Sequence, residues 1–510
     1  MSTAVKERPA VQPYVVSHYI NGKVAKAQGS RTSDIYNPAL GEVAGHLQLA
    51  NQADIQDVVA SAKKAAESWG NTSLIQRTKI LFAMREKLAA HTDELAAAIT
   101  REHGKVLSDA KGEIARGLET IEFACGIIEQ LKGGYSDQVA TDIDLFSIRQ
   151  PLGVVAGITP FNFPIMVPLW MCPVAIACGN AFILKPSERD PSVSLLLAKL
   201  WTEAGLPDGV FNVLQGDKEA VDGLLQHPDV DGISFVGSTP IARYVYEQGR
   251  AHGKRVQALG GAKNHVVVMP DADMDLAAEH LSKAAFGSAG ERCMAISVGI
   301  AVGDAADVLA EKLRTHAKNV VVADGTQPNA DMGPLVTKAA QERVTRIITE
   351  AEAAGARLIA DGRGLRVPGR EKGFFVGPTV LDNVRTDMSA YTEEIFGPVL
   401  ILTRVKSLAE AIAMINANPY GNGTGIFTNS GAAAREFQRR VHVGMVGINI
   451  PIPVPVAWYS FGGWNDSLFG DYHIYGADGV RFYTRKKVIT QRWPEPHQES
   501  GASFAFPSHK

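Results

Sequence analysis

The spacing of apolar residues divides the chain into regions with different predicted structures. Between residues 51 and 131, apolar residues recur every three or four positions, which is typical of amphipathic helices. The clearest of these predicted helices are 58–69, 77–91 and 93–104, the last ending at Gly104. Short apolar runs bounded by glycine and proline predict buried strands at 153–158, 181–185, 211–216 and 232–238. Because strands alternate with helical segments, we expect right-handed βαβ units and a mostly parallel sheet.

A second α/β series follows between about residues 271 and 449. It begins with a predicted helix at 275–289, a strand at 296–303 and a helix at 305–318. Segments rich in proline and glycine predict loops at 366–378 and 448–458. Residues 479–493 have strand character but no partner nearby in the sequence. We therefore expect them to form an edge extension or a strand that pairs across a subunit interface.

The stretch from Pro151 to Leu184 contains no charged residue. Its length would permit a membrane span, which needs about 20 apolar residues. It also contains three glycines and five prolines, which argue against a spanning helix. We predict instead a buried strand, a loop and a buried helix at 164–178, followed by a second strand.

Composition is that of an ordinary globular protein. The 510 residues suggest roughly three domains. The formal charge is 51 − 54 = −3, which gives no electrostatic case for a nucleic-acid or acidic-membrane partner. Four cysteines exclude a disulfide-stapled secreted scaffold, and the N-terminus lacks the pattern of a signal peptide. We expect a multidomain cytoplasmic enzyme.

Of the four cysteines, one stands in a context that suggests chemistry. Cys125, Cys172 and Cys178 lie in apolar helical segments without zinc-ligand spacing, so we expect buried hydrophobes and no metal site. Cys293 follows a predicted helix, and the neighbouring Arg292 would favour its thiolate. Local context alone leaves both a catalytic and a structural role open for Cys293.

Two further segments could bind phosphate or ribose. The strand at 232–236 leads through Gly237 and Ser238 into a helix, whose first N–H groups could receive a pyrophosphate, although the G-x-G-x-x-G pattern is absent. Lys185 and Glu188 follow a predicted strand, at the sheet edge where ribose hydroxyls bind in open α/β folds. A surface ion pair explains the same two residues equally well.

Taken together, several phrases resemble one family over nearly the whole chain, the aldehyde dehydrogenases. In the family's order, the matching phrases are TPFNFP (159–164), KPSE (185–188), AGLPDGVFNV (204–213), FVGST (235–239), LGG (259–261), Cys293 and EEIFGPV (393–399). The resemblance implies an α/β fold with a Rossmann-type NAD-binding domain, an α/β catalytic domain and a small β oligomerisation arm. The implied ranges are 15–138 and 159–264 for NAD binding, 265–462 for catalysis, and 139–158 and 479–498 for oligomerisation.

The same resemblance implies roles for individual residues. Cys293 would attack the aldehyde carbon, and the Asn162 amide with the Cys293 N–H would hold the resulting oxyanion. Hydride would then pass to NAD, leaving a thioester. NAD is implied rather than NADP, because a carboxylate such as Glu188 accepts hydrogen bonds from a free 2′-hydroxyl and repels a 2′-phosphate. The implied cofactor-binding residues are Thr159, Phe161, Lys185, Glu188, Arg189, Ser238, Gly260 and Glu394.

One departure from the family pattern bears on the fate of the thioester. Members that hydrolyse it carry a glutamate base at the start of the segment where this chain reads ALGGAKNH (258–265). Ala258 stands at the position of that base and cannot take a proton. The thioester should therefore persist until a thiol arrives, and coenzyme A is the obvious carrier of that thiol.

The phrases GGAKNH and RCMA and the C-terminal segment resemble the methylmalonate-semialdehyde dehydrogenase branch, which also uses malonate semialdehyde. The resemblance implies that Arg116 and Arg292 bind the substrate carboxylate, since an arginine fork suits that group. Without the family match, Arg116 would be interpreted as a helix-surface cation. The branch releases the β-carboxylate as carbon dioxide or bicarbonate and transfers a propanoyl or acetyl group to coenzyme A.

Three alternatives remain open at this stage. Glu291, two residues before Cys293, is either a loop carboxylate paired with a neighbouring cation or a substitute base for slow hydrolysis. The enzyme could be a hydrolytic semialdehyde dehydrogenase that releases free acid. A third possibility is a non-enzymatic relative that keeps only the fold. The unpaired C-terminal strand and the resemblance together predict a homodimer or homotetramer.

Overall fold

The computed structural model describes residues 13–493, and two parallel-stranded sheets dominate it. Residues 494–498 of the predicted oligomerisation segment lie outside the described residues, as do residues 1–12 of the N-terminus, where we expect no signal peptide. The first large sheet has eight strands, of which the five central ones run parallel. In spatial order these eight strands are Leu468–Phe469, Arg255–Leu259, Gly232–Val236, Val154–Ile158, Ala181–Lys185, Phe211–Val213, His18–Ile20 and Lys23–Ala25.

Helices surround this sheet. As predicted, the segment between residues 51 and 131 is helical, and Gly104 ends one of its helices with a φ of +91°. The helices of this part of the chain are Gln52–Trp69, Leu74–Ala90, Thr92–His103, Leu107–Cys125, Ile127–Gln130, Met166–Ala177, Ser192–Glu203, Lys218–Gln226 and Thr239–Ala251.

The second large sheet has seven strands and forms the core of the second α/β series. All its neighbouring strands run parallel except the pair at one edge, Arg357–Ala360 and Thr379–Asp382. The remaining strands, in spatial order, are Val399–Val405, Ile296–Val302, Asn264–Val268, Gly423–Phe427 and Met445–Ile448. Its helices are Met274–Phe286, Ala305–Asn319, Lys338–Ala353, Ser389–Thr392, Leu408–Ala417 and Gly431–Arg440, with a 3₁₀ turn at Gly287–Gly290.

Three small sheets complete the fold. The N-terminal one joins Tyr14–Val16, Glu42–Gln48 and Thr32–Asn37, and a two-stranded one joins Tyr420–Gly421 and Trp464–Asn465. The third, which we call the arm, consists of Tyr135–Ala140, Ile143–Pro151 and Thr484–Arg492.

The observed bounds of the arm differ from the expected ones in two places. Residues 479–482 are not a strand, because they belong to the short helix Gly476–Phe482, whose buried side packs beside Val174. The strand that follows pairs antiparallel with Ile143–Pro151 of the same chain, a partner too distant in sequence to be found from spacing. The predicted arm segment 139–158 is also too long, since Val154–Ile158 is a central strand of the eight-stranded sheet.

The uncharged stretch is buried, as predicted. Every residue of the strand Val154–Ile158 and of the helix Met166–Ala177 is buried. A helix that is apolar on all sides belongs in a protein core or a membrane. None of the helices in residues 13–493 is both long enough and apolar enough to span a bilayer. Cys172 and Cys178 are buried as expected, whereas Cys125 is only partly buried.

Close contact between two helices depends on a glycine. On Leu107–Cys125, a Cβ at Gly117 would lie 2.4 Å from Cδ1 of Leu169, which belongs to the buried helix Met166–Ala177. Gly112 on the same helix is exposed, and no atom lies within 4 Å of the Cβ it would carry. Only Gly117 therefore serves the packing of the two helices.

We predict that Gly117→Ala lowers the free energy of unfolding by about 1–3 kcal/mol through overpacking. Gly112→Ala is the matched control and should raise it by about 0.5–1 kcal/mol, because alanine is the better helix former. Urea titration of both variants tests this. Equal effects of the two substitutions would show that the helices do not depend on Gly117.

Candidate active site

Cys293 lies on a tight loop between the helix Met274–Phe286 and the strand Ile296–Val302. Ser288 and Ala289 in this loop each have a φ of +52°, a left-handed conformation that costs a non-glycine residue about 1–3 kcal/mol. A Cβ at Gly290 would lie 2.0 Å from the carbonyl oxygen of Gly397. The loop is thus held in a strained conformation against the segment that carries Glu394.

Two asparagine side chains hold the peptide that follows the thiol. Nδ2 of Asn264 donates to the carbonyl oxygen of Cys293 at 2.9 Å and to that of Ala295 at 2.9 Å. Nδ2 of Asn422 donates to the same Cys293 oxygen at 3.1 Å. Sequence reasoning assigned neither residue a role, although Asn264 lies inside the distinctive GGAKNH phrase. Nothing in the local sequence singles out Asn422.

The surroundings of Cys293 disfavour its thiolate. Burial raises the pKa of Cys293 to about 12, and the nearby Glu394 carboxylate adds to the rise. Arg292 does favour the thiolate, as expected, but its effect on the pKa is small. The Arg292 guanidinium donates to Oδ1 of Asp109 at 2.5 Å, so its charge is already paired. The expected direction of the Arg292 effect is therefore confirmed, but burial outweighs it.

Asn162 lies on the loop between the strand Val154–Ile158 and the helix Met166–Ala177. It is buried, and it lines the same cleft as Cys293. Its carbonyl oxygen accepts a hydrogen bond from Nζ of Lys105 at 2.5 Å. Within residues 13–493, no protein group bonds to the Asn162 side-chain amide. That amide is free to donate to a ligand in the cleft.

The cleft has a volume of about 620 Å³, which is in the usual range for a small-molecule site. It is bounded by the carboxyl ends of the central strands of the eight-stranded sheet and by the Cys293 loop. All eight residues that the resemblance implied for cofactor binding line it: Thr159, Phe161, Lys185, Glu188, Arg189, Ser238, Gly260 and Glu394.

Several groups in the cleft fit a dinucleotide. Ser238 precedes the helix Thr239–Ala251, so the free N–H groups of that helix start face the cleft, where a pyrophosphate would bind. Lys185 Nζ lies 3.2 Å from Oε2 of Glu188. Although burial opposes it, Lys185 lowers the pKa of Glu188, so this carboxylate is charged and can accept from ribose hydroxyls. The buried Thr159 hydroxyl has no protein partner and could bond to a ligand.

Aromatic side chains form one wall of the cleft. The Phe161 ring meets the ring of Phe396 edge to face, with 5.9 Å between centroids. The Arg189 guanidinium lies 5.0 Å from the centre of the Phe161 ring on another side. Phe396 itself has a φ of +52° and was not predicted as a site residue, although it belongs to the EEIFGPV phrase.

The segment that begins with Gly260 and Gly261 holds Glu394 in place near the thiol. Its Oε1 accepts from the Ala262 N–H at 2.9 Å, and burial raises the pKa of Glu394. A Cβ at Gly261 would lie 2.5 Å from Oε2 of Glu394, so glycine is needed there. The buried Lys263 donates to the carbonyl oxygens of Ala390 and Glu393, each at 2.7 Å, and so holds the same loop.

The two arginines expected to bind a carboxylate have different surroundings. Arg292 lines a small cavity with Cys293. Arg116, on the helix Leu107–Cys125, has a side chain 32% exposed and donates to Glu119 and to the Pro455 carbonyl oxygen. Tyr475 donates to that same oxygen at 2.9 Å, and charges on Cys293 and Arg116 both act on its pKa, which burial raises most. Arg116 is therefore not an isolated surface cation.

Neither Ala258, at the position of the family's hydrolytic base, nor Glu291, the possible substitute, supplies a base to the cleft. Ala258 is fully buried in the strand Arg255–Leu259, and its methyl group accepts no proton. Glu291 is also fully buried, and its carboxylate accepts the Val336 N–H at 3.2 Å. Among the described residues no cation forms an ion pair with Glu291, so the interpretation as a paired loop carboxylate is wrong. Burial raises its pKa to about 8, and it does not line the cleft.

Comparison with known proteins agrees with this site. The model of the aldehyde dehydrogenase family matches residues 24–489, and the chain belongs to that family. This confirms the expected family and fold class.

Individual relatives are close in sequence. The chain is 56% identical to the malonate-semialdehyde dehydrogenase of Pseudomonas aeruginosa, over 96% of this chain and 99% of that protein. It is 48% identical to the human mitochondrial methylmalonate-semialdehyde/malonate-semialdehyde dehydrogenase [acylating], over 94% of this chain and 90% of that protein. A Sinorhizobium meliloti protein crystallised with NAD superposes with a TM-score of 0.94 at 50% identity, covering 96% and 99% of the two chains.

We predict that Glu394→Gln raises the rate of Cys293 alkylation by iodoacetamide roughly 3- to 10-fold at pH 8 without cofactor. The carboxylate raises the pKa of the thiol, so removing its charge moves the alkylation profile to lower pH. Glu393→Gln, at the adjacent exposed position, is the matched control and should leave the profile in place. An unchanged or slower rate in Glu394→Gln would contradict this account of the thiol.

Proposed function

We propose that the protein catalyses the NAD-dependent, coenzyme-A-acylating oxidation and decarboxylation of malonate or methylmalonate semialdehyde, forming acetyl-CoA or propanoyl-CoA. The observation that carries the proposal is a partly buried cysteine, Cys293, in a dinucleotide-sized cleft, together with an alanine, Ala258, at the position of the hydrolytic base. The names of the Pseudomonas aeruginosa and human relatives support the substrate class, and the name of the human relative supports an acylating reaction.

In the first step, the Cys293 thiolate attacks the aldehyde carbon and the carbonyl oxygen becomes an oxyanion. The Asn162 side-chain amide and the Cys293 N–H are the donors proposed to stabilise it, because they occupy the same cleft. Bound NAD supplies the hydride acceptor. Loss of the hydride leaves a thioester on Cys293, and the Lys185, Glu188, Ser238 and Glu394 groups hold and orient the dinucleotide.

In the second stage, the β-carboxylate leaves as carbon dioxide. The C–C bond electrons move onto the thioester carbonyl as an enolate, which then takes a proton at carbon. Arg116 and Arg292 are proposed to bind the carboxylate before this step, since a guanidinium fork matches its geometry. Coenzyme A completes the cycle when its thiol attacks the acyl group and releases the Cys293 thiolate.

We predict that product formation depends on coenzyme A. With NAD and malonate semialdehyde, acetyl-CoA should form with the thiol present, and free acid should form at least about tenfold more slowly without it. The control Glu291→Gln should release free acid at the same slow rate as the wild type, because the Glu291 carboxylate bonds to Val336 rather than facing the cleft. Free acid at one rate with and without coenzyme A would establish the hydrolytic alternative instead.

We also predict that Arg116→Met and Arg292→Met lower kcat/KM for malonate semialdehyde by about 30-fold or more, the cost of a lost charged hydrogen bond. Propanal has no carboxylate, so its kcat/KM should change less than about threefold. Arg85→Met is the control, because Arg85, like Arg116, pairs with a glutamate of the helix Leu107–Cys125 but is not proposed to bind the substrate. Parallel losses for both aldehydes would refute carboxylate recognition.

The arm is proposed to join subunits in a homodimer or homotetramer. Within residues 13–493, one edge of its strand Thr484–Arg492 pairs with no other strand, and a second copy could pair with it. We further propose a cytoplasmic location, where NAD and coenzyme A are both available and the four cysteines stay reduced.

A further inference from the structure

A buried ion pair grips the loop that carries Asn162. Lys105 and Glu113 have no solvent-exposed side-chain surface, and Nζ of Lys105 lies 2.7 Å from Oε2 of Glu113. The same Nζ donates to the carbonyl oxygen of Asn162 at 2.5 Å and lies 4.4 Å from the centre of the Phe163 ring. The ammonium group therefore fixes the peptide that follows the Asn162 side chain.

The other oxygen of Glu113 holds the far end of the same segment. Its Oε1 accepts from the N–H groups of Ile165 at 2.9 Å and Met166 at 3.2 Å. These groups stand at the start of the helix Met166–Ala177, where N–H groups lack partners within the helix and a negative charge is favourable. The two charges together hold residues 162–166 at both ends.

Stability alone does not account for this pair. Taking two charges out of water is costly, and apolar side chains of similar size would often stabilise a core as well or better. What apolar side chains could not do is fix the Asn162 carbonyl and the helix start at defined hydrogen-bond distances. Glu113 also lies one helical turn before Arg116, so one helix ties this loop to the arginine proposed for carboxylate binding.

We propose that Lys105 and Glu113 are positioning residues that keep the Asn162 side-chain amide aimed at the oxyanion formed on Cys293. The inference rests on the role proposed above for Asn162. Neither residue touches the substrate, so the pair acts only through Asn162. Its loss should slow the formation of the thioester without weakening NAD binding.

The test is a double-mutant cycle on the first turnover. NADH formation is followed by rapid mixing with saturating NAD and malonate semialdehyde in wild type, Lys105→Met, Asn162→Ala and the double variant. Asn162→Ala should slow the burst by about 10²–10³-fold, the usual cost of one oxyanion donor. Lys105→Met should slow it by about 10–10²-fold by misplacing that donor. The double variant should match Asn162→Ala within about threefold, because the aim of an absent amide no longer matters.

If the rate losses of Lys105→Met and Asn162→Ala multiply in the double variant, the positioning role is overturned. A general structural defect caused by Lys105→Met would slow the burst by the same factor with and without the Asn162 amide. A normal burst in Asn162→Ala would instead refute the proposed oxyanion role of Asn162. Arg404→Met is the matched control: it removes a cation from the buried Asp382 in the other sheet and should leave the burst unchanged. Should Lys105→Met not fold, Glu113→Gln keeps the shape of its side chain, and the same cycle with Asn162→Ala should give the same non-multiplying pattern.

Discussion

The partial burial of the Cys293 thiol at the edge of the cleft is the constraint on which the rest of the site depends. Burial raises the pKa of this thiol to about 12, and the Glu394 carboxylate adds to the rise, so the surroundings favour the protonated thiol over the thiolate. Surroundings that disfavour a charge on sulfur make hydrogen-bond donors aimed at a developing oxyanion more valuable.

The surrounding structure holds the reacting groups of the site in fixed positions. The strained loop at Ser288 and Ala289 presents the thiol, and the amides of Asn264 and Asn422 hold its carbonyl. On the opposite side the uncharged segment brings Asn162 into the cleft. Each sheet thus contributes one half of the reacting geometry, and the two halves face each other across the cleft that Asn162 and Cys293 both line.

Local sequence patterns predicted the elements better than their partners. Helical spacing and short apolar runs located the helices and strands of the eight-stranded sheet, because periodicity reports which side of an element is buried. The strand Thr484–Arg492 was expected to form an edge extension or an intersubunit strand, but its partner could not be located, since its pairing with Ile143–Pro151 joins residues more than 300 positions apart. The helix Gly476–Phe482 was mistaken for a strand because its short apolar run carries no helical repeat.

The same difference between local patterns and distant contacts separates the site residues that were predicted from those that were not. Residues within distinctive phrases, such as Glu188 and Glu394, were predicted and do line the cleft. Residues that act through contacts across the fold, Lys105 and Asn422 among them, were missed because no local spacing marks them. Arg292 favours the thiolate, as its place beside Cys293 predicted, but its pairing with Asp109 and the larger effect of burial on the thiol pKa exist only in the folded chain.

The central claim is that the thioester on Cys293 persists until coenzyme A arrives, because Ala258 stands at the position of the hydrolytic base. The lifetime of the acyl group on Cys293 tests it most directly. The enzyme is mixed with NAD and malonate semialdehyde without coenzyme A, quenched with acid, and the peptide containing Cys293 is examined by mass spectrometry. We expect one acetyl group on Cys293 for each NADH formed, lasting until coenzyme A is added and then appearing as acetyl-CoA. An unmodified Cys293 with continued release of NADH and free acid would contradict the account.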